Sequence, residues 1–212
     1  MNLFDTAMFC NNNGGGGGSS SESSDYIVSN LLYTFNDFSA AVKESNITNL
    51  GLSFTDYTFE LCFKSYAIQN YCATLVETYN NTNGNVSYIS FRFDTYSNPT
   101  DVNYLEIIVN GTKILSEFVS SDLVKLGINI LYTLSFVVSG TNAGLYVNGE
   151  KVREFTDVPT LTTINNIHNL YRNGTGRVHN GLIYAVRIYD KALTTDEISV
   201  NHNKDIKLFN NI

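Results

Sequence analysis

The sequence predicts an all-β fold, a two-sheet antiparallel sandwich closed by one short C-terminal helix. Three observations predict it. Short stretches alternate apolar and polar residues with a period of two, the mark of a strand with one buried face. Two Asn-Gly pairs, Asn110-Gly111 and Asn148-Gly149, sit between such stretches as tight hairpin turns. A single helix-start signal lies near the end of the chain. Many short strands separated by turn residues favour a sandwich over a parallel-sheet fold.

In chain order, Tyr57, Phe59, Leu61 and Phe63 alternate with Thr58, Glu60, Cys62 and Lys64. Ile89, Phe91 and Phe93 alternate with Ser90 and Arg92. Leu105, Ile107 and Val109 lead into the first Asn-Gly turn, and residues 113–118 return. Ile130, Tyr132, Leu134, Phe136 and Val138 form a further strand; residues 145–147 enter the second turn, and Val152 leaves it. Leu182 to Tyr189 is the last strong strand.

The helix begins at Thr194-Thr195-Asp196-Glu197, a capping box in which the Thr194 hydroxyl and Glu197 carboxylate satisfy orphan amides reciprocally. Leu193 and Ile198 supply the accompanying hydrophobic staple, and the helix is expected to end near Asn203 and close one edge of the sandwich. At the other end, residues 13–25 form a linker rich in Gly and Ser that cannot bury apolar area and so acts as a flexible tether. Residues 1–12 read as a docking peptide with Leu3, Phe4 and Met8 as its apolar contacts, leaving 26–212 as the sandwich domain.

Three segments resemble a known family. YTFELCFK (Tyr57–Lys64), YTLSFVV (Tyr132–Val138) with AGLYVNGEKV (Ala143–Val152), and GLIYAVRIYDKALTTDEI (Gly181–Ile198) resemble, in order and spacing, strands of LamG-like jelly rolls of the concanavalin A-like lectin/glucanase superfamily. The last is the most specific. Cys62 stands where that family usually has tryptophan, and residues 72–125 match only in period. The resemblance implies two antiparallel sheets around a core, with rim loops or the concave sheet available for ligands. It implies no particular activity, since this fold serves lectins, glycosidases, adhesion modules and spacers alike.

Composition narrows the function. The 212 residues are 43% hydrophobic and 16% charged, enough apolar content for a sizeable core. A net charge of -7 disfavours a nucleic-acid partner. No apolar run approaches the roughly 18–20 residues of a membrane span. Three cysteines, Cys10, Cys62 and Cys72, do not make a disulfide scaffold, although the last two stand close enough in sequence to pair across a hairpin. The N-terminal residues lack the pattern of a secretory leader, so export by the general route is not expected.

Catalytic signatures are missing. The resemblance leads one to look for the Glu-x-Asp-x-x-Glu strand of the superfamily's retaining glucanases, whose carboxylates stand about 5 Å apart; the sequence has none. Glu60, Glu77, Glu106 and Glu117 stand singly and are expected on solvated strand faces, and His168, His179 and His202 on the surface. The expectation is therefore that the chain is not an enzyme. The resemblance also implies a calcium site at the rim, for which Asp94, Asn98, Asp101 and Asn103 offer the oxygens a hard cation takes. For a sugar, whose ring has an apolar face and polar edges, the Tyr-Asn and Tyr-Arg pairs are the candidates: Tyr79 with Asn80, Tyr96 with Asn98, and Tyr171 with Arg172, all expected in loops.

A lectin-like sandwich without an export signal, joined by a tether to an apolar peptide, fits a phage virion, whose proteins assemble in the host cytoplasm and reach the exterior by lysis. The leading expectation is a virion adhesion module, with residues 1–12 docked on other virion proteins and the sandwich holding host cell-surface polysaccharide. The alternatives are a virion decoration or spacer protein that uses the sandwich for protein contacts only, and an accessory module of a glycan-processing enzyme.

Overall fold

The computed structural model describes residues 31–35, 44–46, 55–69, 73–80, 87–94, 102–115, 124–161, 166–168 and 179–209. The docking peptide and tether expected at residues 1–25 lie outside these. The described strands are β1 (Leu31–Phe35), β2 (Glu44–Asn46), β3 (Asp56–Ser65), β4 (Ala73–Asn80), β5 (Ser87–Asp94), β6 (Val102–Val109), β7 (Thr112–Leu115), β8 (Lys125–Gly127), β9 (Leu131–Ser139), β10 (Asn142–Val147), β11 (Glu150–Phe155), β12 (Asn166–His168) and β13 (Gly181–Tyr189), followed by α1 (Thr195–Phe209).

These strands make two antiparallel sheets. One has six strands in the order β1-β13-β3-β9-β10-β11; the other has seven, in the order β2-β12-β4-β5-β6-β7 with β8 paired to β6. The alternation read from the sequence sets their inner faces. Tyr57, Phe59, Leu61 and Phe63 of β3 and Leu134, Phe136 and Val138 of β9 face Ile89, Phe91 and Phe93 of β5 and Leu105, Ile107 and Val109 of β6 in one core. Phe91 bridges the layers, its ring 5.9 Å from Phe59 and 6.0 Å from Phe136, within the edge and tilted geometries aromatic pairs prefer.

Both Asn-Gly turns are formed, with positive φ at Asn110 (48°), Gly111 (83°), Asn148 (52°) and Gly149 (81°), as the hairpin geometry requires. Each asparagine also pins its turn. Asn110 Oδ1 accepts from the Tyr88 amide at 2.9 Å, and Asn148 Oδ1 from the Thr133 amide at 3.1 Å. After the first turn β7 is described from Thr112 to Leu115, and the rest of the expected strand, residues 116–118, lies outside the described residues.

The helix cap is made as expected: Thr194 N donates to Glu197 Oε2 at 2.9 Å, and Glu197 N to Thr194 Oγ1 at 3.3 Å. The helix then runs on to Phe209, beyond the expected end at Asn203. It lies on the outer face of the six-stranded sheet rather than at an edge. Ile198 packs with Val137, Tyr146 and Tyr189, while Ile206 and Phe209 meet Cys62, Leu131 and Tyr184. Cys62 is thus a free thiol buried beneath the helix, on the face turned away from the core, and burial pushes its pKa up.

Candidate functional site

Strand alternation gives each sheet an outer face, and the expectation for its carboxylates was solvent. The structure corrects it: Glu60, Glu77 and Glu106 are all buried. Glu60 belongs to the six-stranded sheet, where α1 covers it. Arg187 of β13 reaches Glu60 Oε2 at 3.4 Å and pairs with Asp205 of the helix, while Asn201 Nδ2 donates to Glu60 at 2.7 Å and Ser135 Oγ at 3.1 Å. Burial raises the Glu60 pKa while Arg187 opposes the rise. This cluster fastens the helix to the sheet.

The seven-stranded sheet carries a second polar cluster. Arg92 of β5 stands opposite Glu106 of β6 in the register, and Arg92 Nε reaches Glu106 Oε2 at 2.5 Å. Lys113 of β7 reaches the other oxygen of Glu106 at 3.0 Å. Arg92 and Glu106 are withdrawn from water, whereas the Lys113 side chain is 32% exposed and opens the cluster to solvent. Ser90 pairs with Glu77 in the register, and its buried hydroxyl has no partner among the described residues. Tyr88 and Tyr104 alternate onto the same face as Arg92 and Glu106 and are themselves buried, with Lys125 Nζ 5.7 Å from the Tyr104 ring centroid. Lys113 is thus the solvent-reaching end of a strip whose other members, Arg92, Glu106, Ser90, Tyr88 and Tyr104, are buried, a polar set of donors and acceptors of the kind that recognises hydroxyl groups.

The backbone brings some sequence-predicted residues to this strip. Tyr79 and Asn80, expected in a loop, are the last two residues of β4; Tyr79 stands opposite Tyr88 of β5 and Asn166 of β12. Asp94 ends β5 opposite Tyr104. His168 of β12 stands opposite Glu77. Tyr96, Asn98, Asp101, Tyr171 and Arg172 lie outside the described residues, as do Leu3, Phe4, Met8 and Glu117. Arg92, Glu106 and Lys113 were missed as site residues. The available signal was that Arg92 and Glu106 both interrupt strongly apolar strands, at positions that alternate away from the core.

Asn103, a candidate calcium ligand, is buried within β6, its Oδ1 accepting from the Gln69 amide at 2.7 Å and its Nδ2 without a partner among the described residues. That oxygen already accepts a backbone hydrogen bond inside the sheet, and the other expected ligands Asn98 and Asp101 lie outside the described residues. No group of three metal-ligating side chains occurs among the described residues. His179, expected at the surface, is enclosed between Phe63 and Phe93, stacked on Phe93 at 5.6 Å and 3.0 Å from Ser65 Oγ through Nε2. Burial lowers its pKa to about 3, so the ring is neutral.

With this geometry in place, comparison with known proteins decides the family. The sequence profile of the concanavalin A-like lectin/glucanases superfamily (Laminin_G_3) matches residues 38–199. The chain belongs to this superfamily. Its concanavalin A-like sandwich is also similar to solved structures at low identity, which reflects the fold alone. The sialidase of Trypanosoma rangeli in complex with 2,3-difluorosialic acid aligns at TM-score 0.55 and 12% identity, over 80% of this chain and 27% of its own. The chain thus spans about a quarter of that sialidase. The heptameric SAP-like pentraxin of Limulus polyphemus aligns at TM-score 0.55 and 14% identity, covering 79% of this chain and 81% of its own. The CBM40 of the Ruminococcus gnavus IT-sialidase, bound to α2,3-sialyllactose, aligns at TM-score 0.53 and 14% identity, covering 81% and 99%. No curated protein matches the chain.

Proposed function

We propose that the chain is a non-catalytic glycan-binding module that grips its ligand across the outer face of the seven-stranded sheet. The observation that carries this is the Arg92–Glu106–Lys113 cluster with the uncommitted Ser90 hydroxyl beside it. A buried ion pair is often no more stabilising than apolar residues of similar volume, so stability alone gives little reason to place one there. Fixed donors and acceptors beside tyrosines suit sugar hydroxyls. The CBM40 that shares this fold was solved with sialyllactose, which supports a saccharide as the ligand class. Binding rather than hydrolysis is supported by the carboxylate itself. Glu106, the carboxylate of the cluster, is ion-paired with both Arg92 and Lys113, which commits it as an acceptor rather than leaving it poised as an acid or a nucleophile.

In finer terms, the module serves as a phage adhesin. Residues 1–12 dock on the virion through Leu3, Phe4 and Met8, the 13–25 tether gives reach, and the sandwich holds host-surface polysaccharide. Many copies on one particle raise weak single-site affinity through effective concentration. Tyr96, Asn98, Tyr171 and Arg172 extend the contact from the loops, and Asp94 and Asp101 remain the oxygens for any calcium dependence. The test is a glycan array of bacterial polysaccharides and sialylated oligosaccharides, probed with the full chain displayed multivalently, with and without calcium. Reproducible hits weakened about tenfold or more by Lys113→Ala, the solvent-reaching member of the cluster, are expected. Silence across the array would overturn the reading and leave a virion spacer that uses the sandwich for protein contacts.

A further inference from the structure

The outer face of the six-stranded sheet is covered unevenly. Leu193 and Ile198 pack with Val137, Tyr146 and Tyr189, and Ile206 and Phe209 pack over Cys62, Leu131 and Tyr184. Beyond the helix, toward β10 and the edge strand β11, the face hollows into a groove of about 380 Å³. Gly144 makes the hollow. A Cβ built there would stand 3.1 Å from Tyr146 Cε2 and 3.5 Å from Lys151 Cε, so any side chain would fill the space between them. Lys151 Nζ stands 5.6 Å from the Tyr146 ring centroid and 3.0 Å from Glu154 Oε1. Both charged ends remain accessible, the Lys151 and Glu154 side chains being 43% and 76% exposed. Asn142 and Thr156 complete the rim.

We propose that this groove is a second saccharide seat, on the opposite sheet from the first, and that it takes the ring of a neutral sugar. Val137, Ala143, Gly144 and Tyr146 line an apolar floor, with Lys151 Nζ over the Tyr146 ring, so that a sugar's C–H face meets the floor beside the lysine. The ammonium and carboxylate, already held beside each other, provide a donor and an acceptor for adjacent hydroxyls. An acidic sugar would bring its carboxylate against Glu154; a neutral one engages both groups without that repulsion. The volume lies near the lower end of the roughly 300–1,000 Å³ typical of small-ligand sites, the scale of one or two sugar rings. The inference rests on the glycan-binding reading and adds a place and a charge class to it.

The test titrates the full chain with methyl glycosides of glucose, galactose, mannose and N-acetylglucosamine, and with 3′-sialyllactose, read by saturation-transfer NMR. Lys151→Ala and Glu154→Gln, both at exposed positions, carry the comparison. Gly144→Val is added once its thermal unfolding shows that it folds. At least one neutral glycoside is expected to bind, and each variant to weaken it tenfold or more while leaving any sialyllactose signal in place. Neutral binding that survives Lys151→Ala and Gly144→Val but is lost in Lys113→Ala would overturn the groove and leave glycan binding standing. A native chain that binds none of the neutral glycosides would overturn the groove, while the glycan-binding reading itself falls only if the multivalent array is silent as well.

Discussion

A histidine enclosed between Phe63 and Phe93 is held neutral by the cost of charging it away from water. The folded pKa of His179 is about 3, against an ordinary value of 6.5, so the unfolded chain takes up a proton that the folded chain refuses. Stability from this group is fully present above about pH 6.5 and is lost as pH falls toward 3, with a slope of up to about 1.4 kcal/mol per pH unit. Urea unfolding of the native chain from pH 7 to pH 4 should show this decline, and His179→Phe should flatten it. Alternation alone hides this face, because Val186 and Ile188 point inward but the register shift between Ile183 and Ala185 changes the phase, and only beyond it do Ile183, Gly181 and His179 follow one another by twos. Gly181 has its own constraint. A Cβ there would lie 2.1 Å from the Lys64 carbonyl oxygen and 2.5 Å from His179 Cε1, so Gly181→Ala should cost about 3 kcal/mol or more by thermal or urea unfolding.

At the scale of the element, α1 shows where period alone misleads. Alternation placed Glu60 away from the core, correctly, but outward is not the same as wet when a helix lies on that face. The information was present further along the chain, since Ile198, Asn201 and Asp205 are spaced by three and four residues and so share one helix face. Reading that face as apolar plus polar would have called for a polar partner on the sheet. Arg187→Met leaves the Glu60 and Asp205 carboxylates buried without their shared cation, and the expected loss is about 3–5 kcal/mol in chemical denaturation. Thr194→Ala removes only the cap, and about 1 kcal/mol is expected on the same measurement. A larger loss from Thr194→Ala than from Arg187→Met would mean that the helix is held by its start and not by its buried face.

Across the whole molecule, what the sequence made legible was local. The hairpins around Asn110-Gly111 and Asn148-Gly149 could be read because their partners are a few residues apart. The pairing of β12 with β2 and β4 could not, because nothing in a three-residue strand specifies a neighbour so far away in the chain. The candidate face was hidden for the same reason: Arg92 and Glu106 become a pair only once β5 and β6 are in register. The order of the six-stranded sheet has a further consequence, for the chain as it is being made. β3 is synthesised early and sits between β9 and β13, yet its partner on one side begins only at Gly181. Until that strand has left the ribosome, one edge of β3 presents unpaired amides and carbonyls along an apolar strand, the kind of edge that recruits another chain. A chain stopped after Leu161 should therefore collect in the insoluble fraction, whereas one stopped after Tyr189 closes both edges of β3 and lacks only the helix.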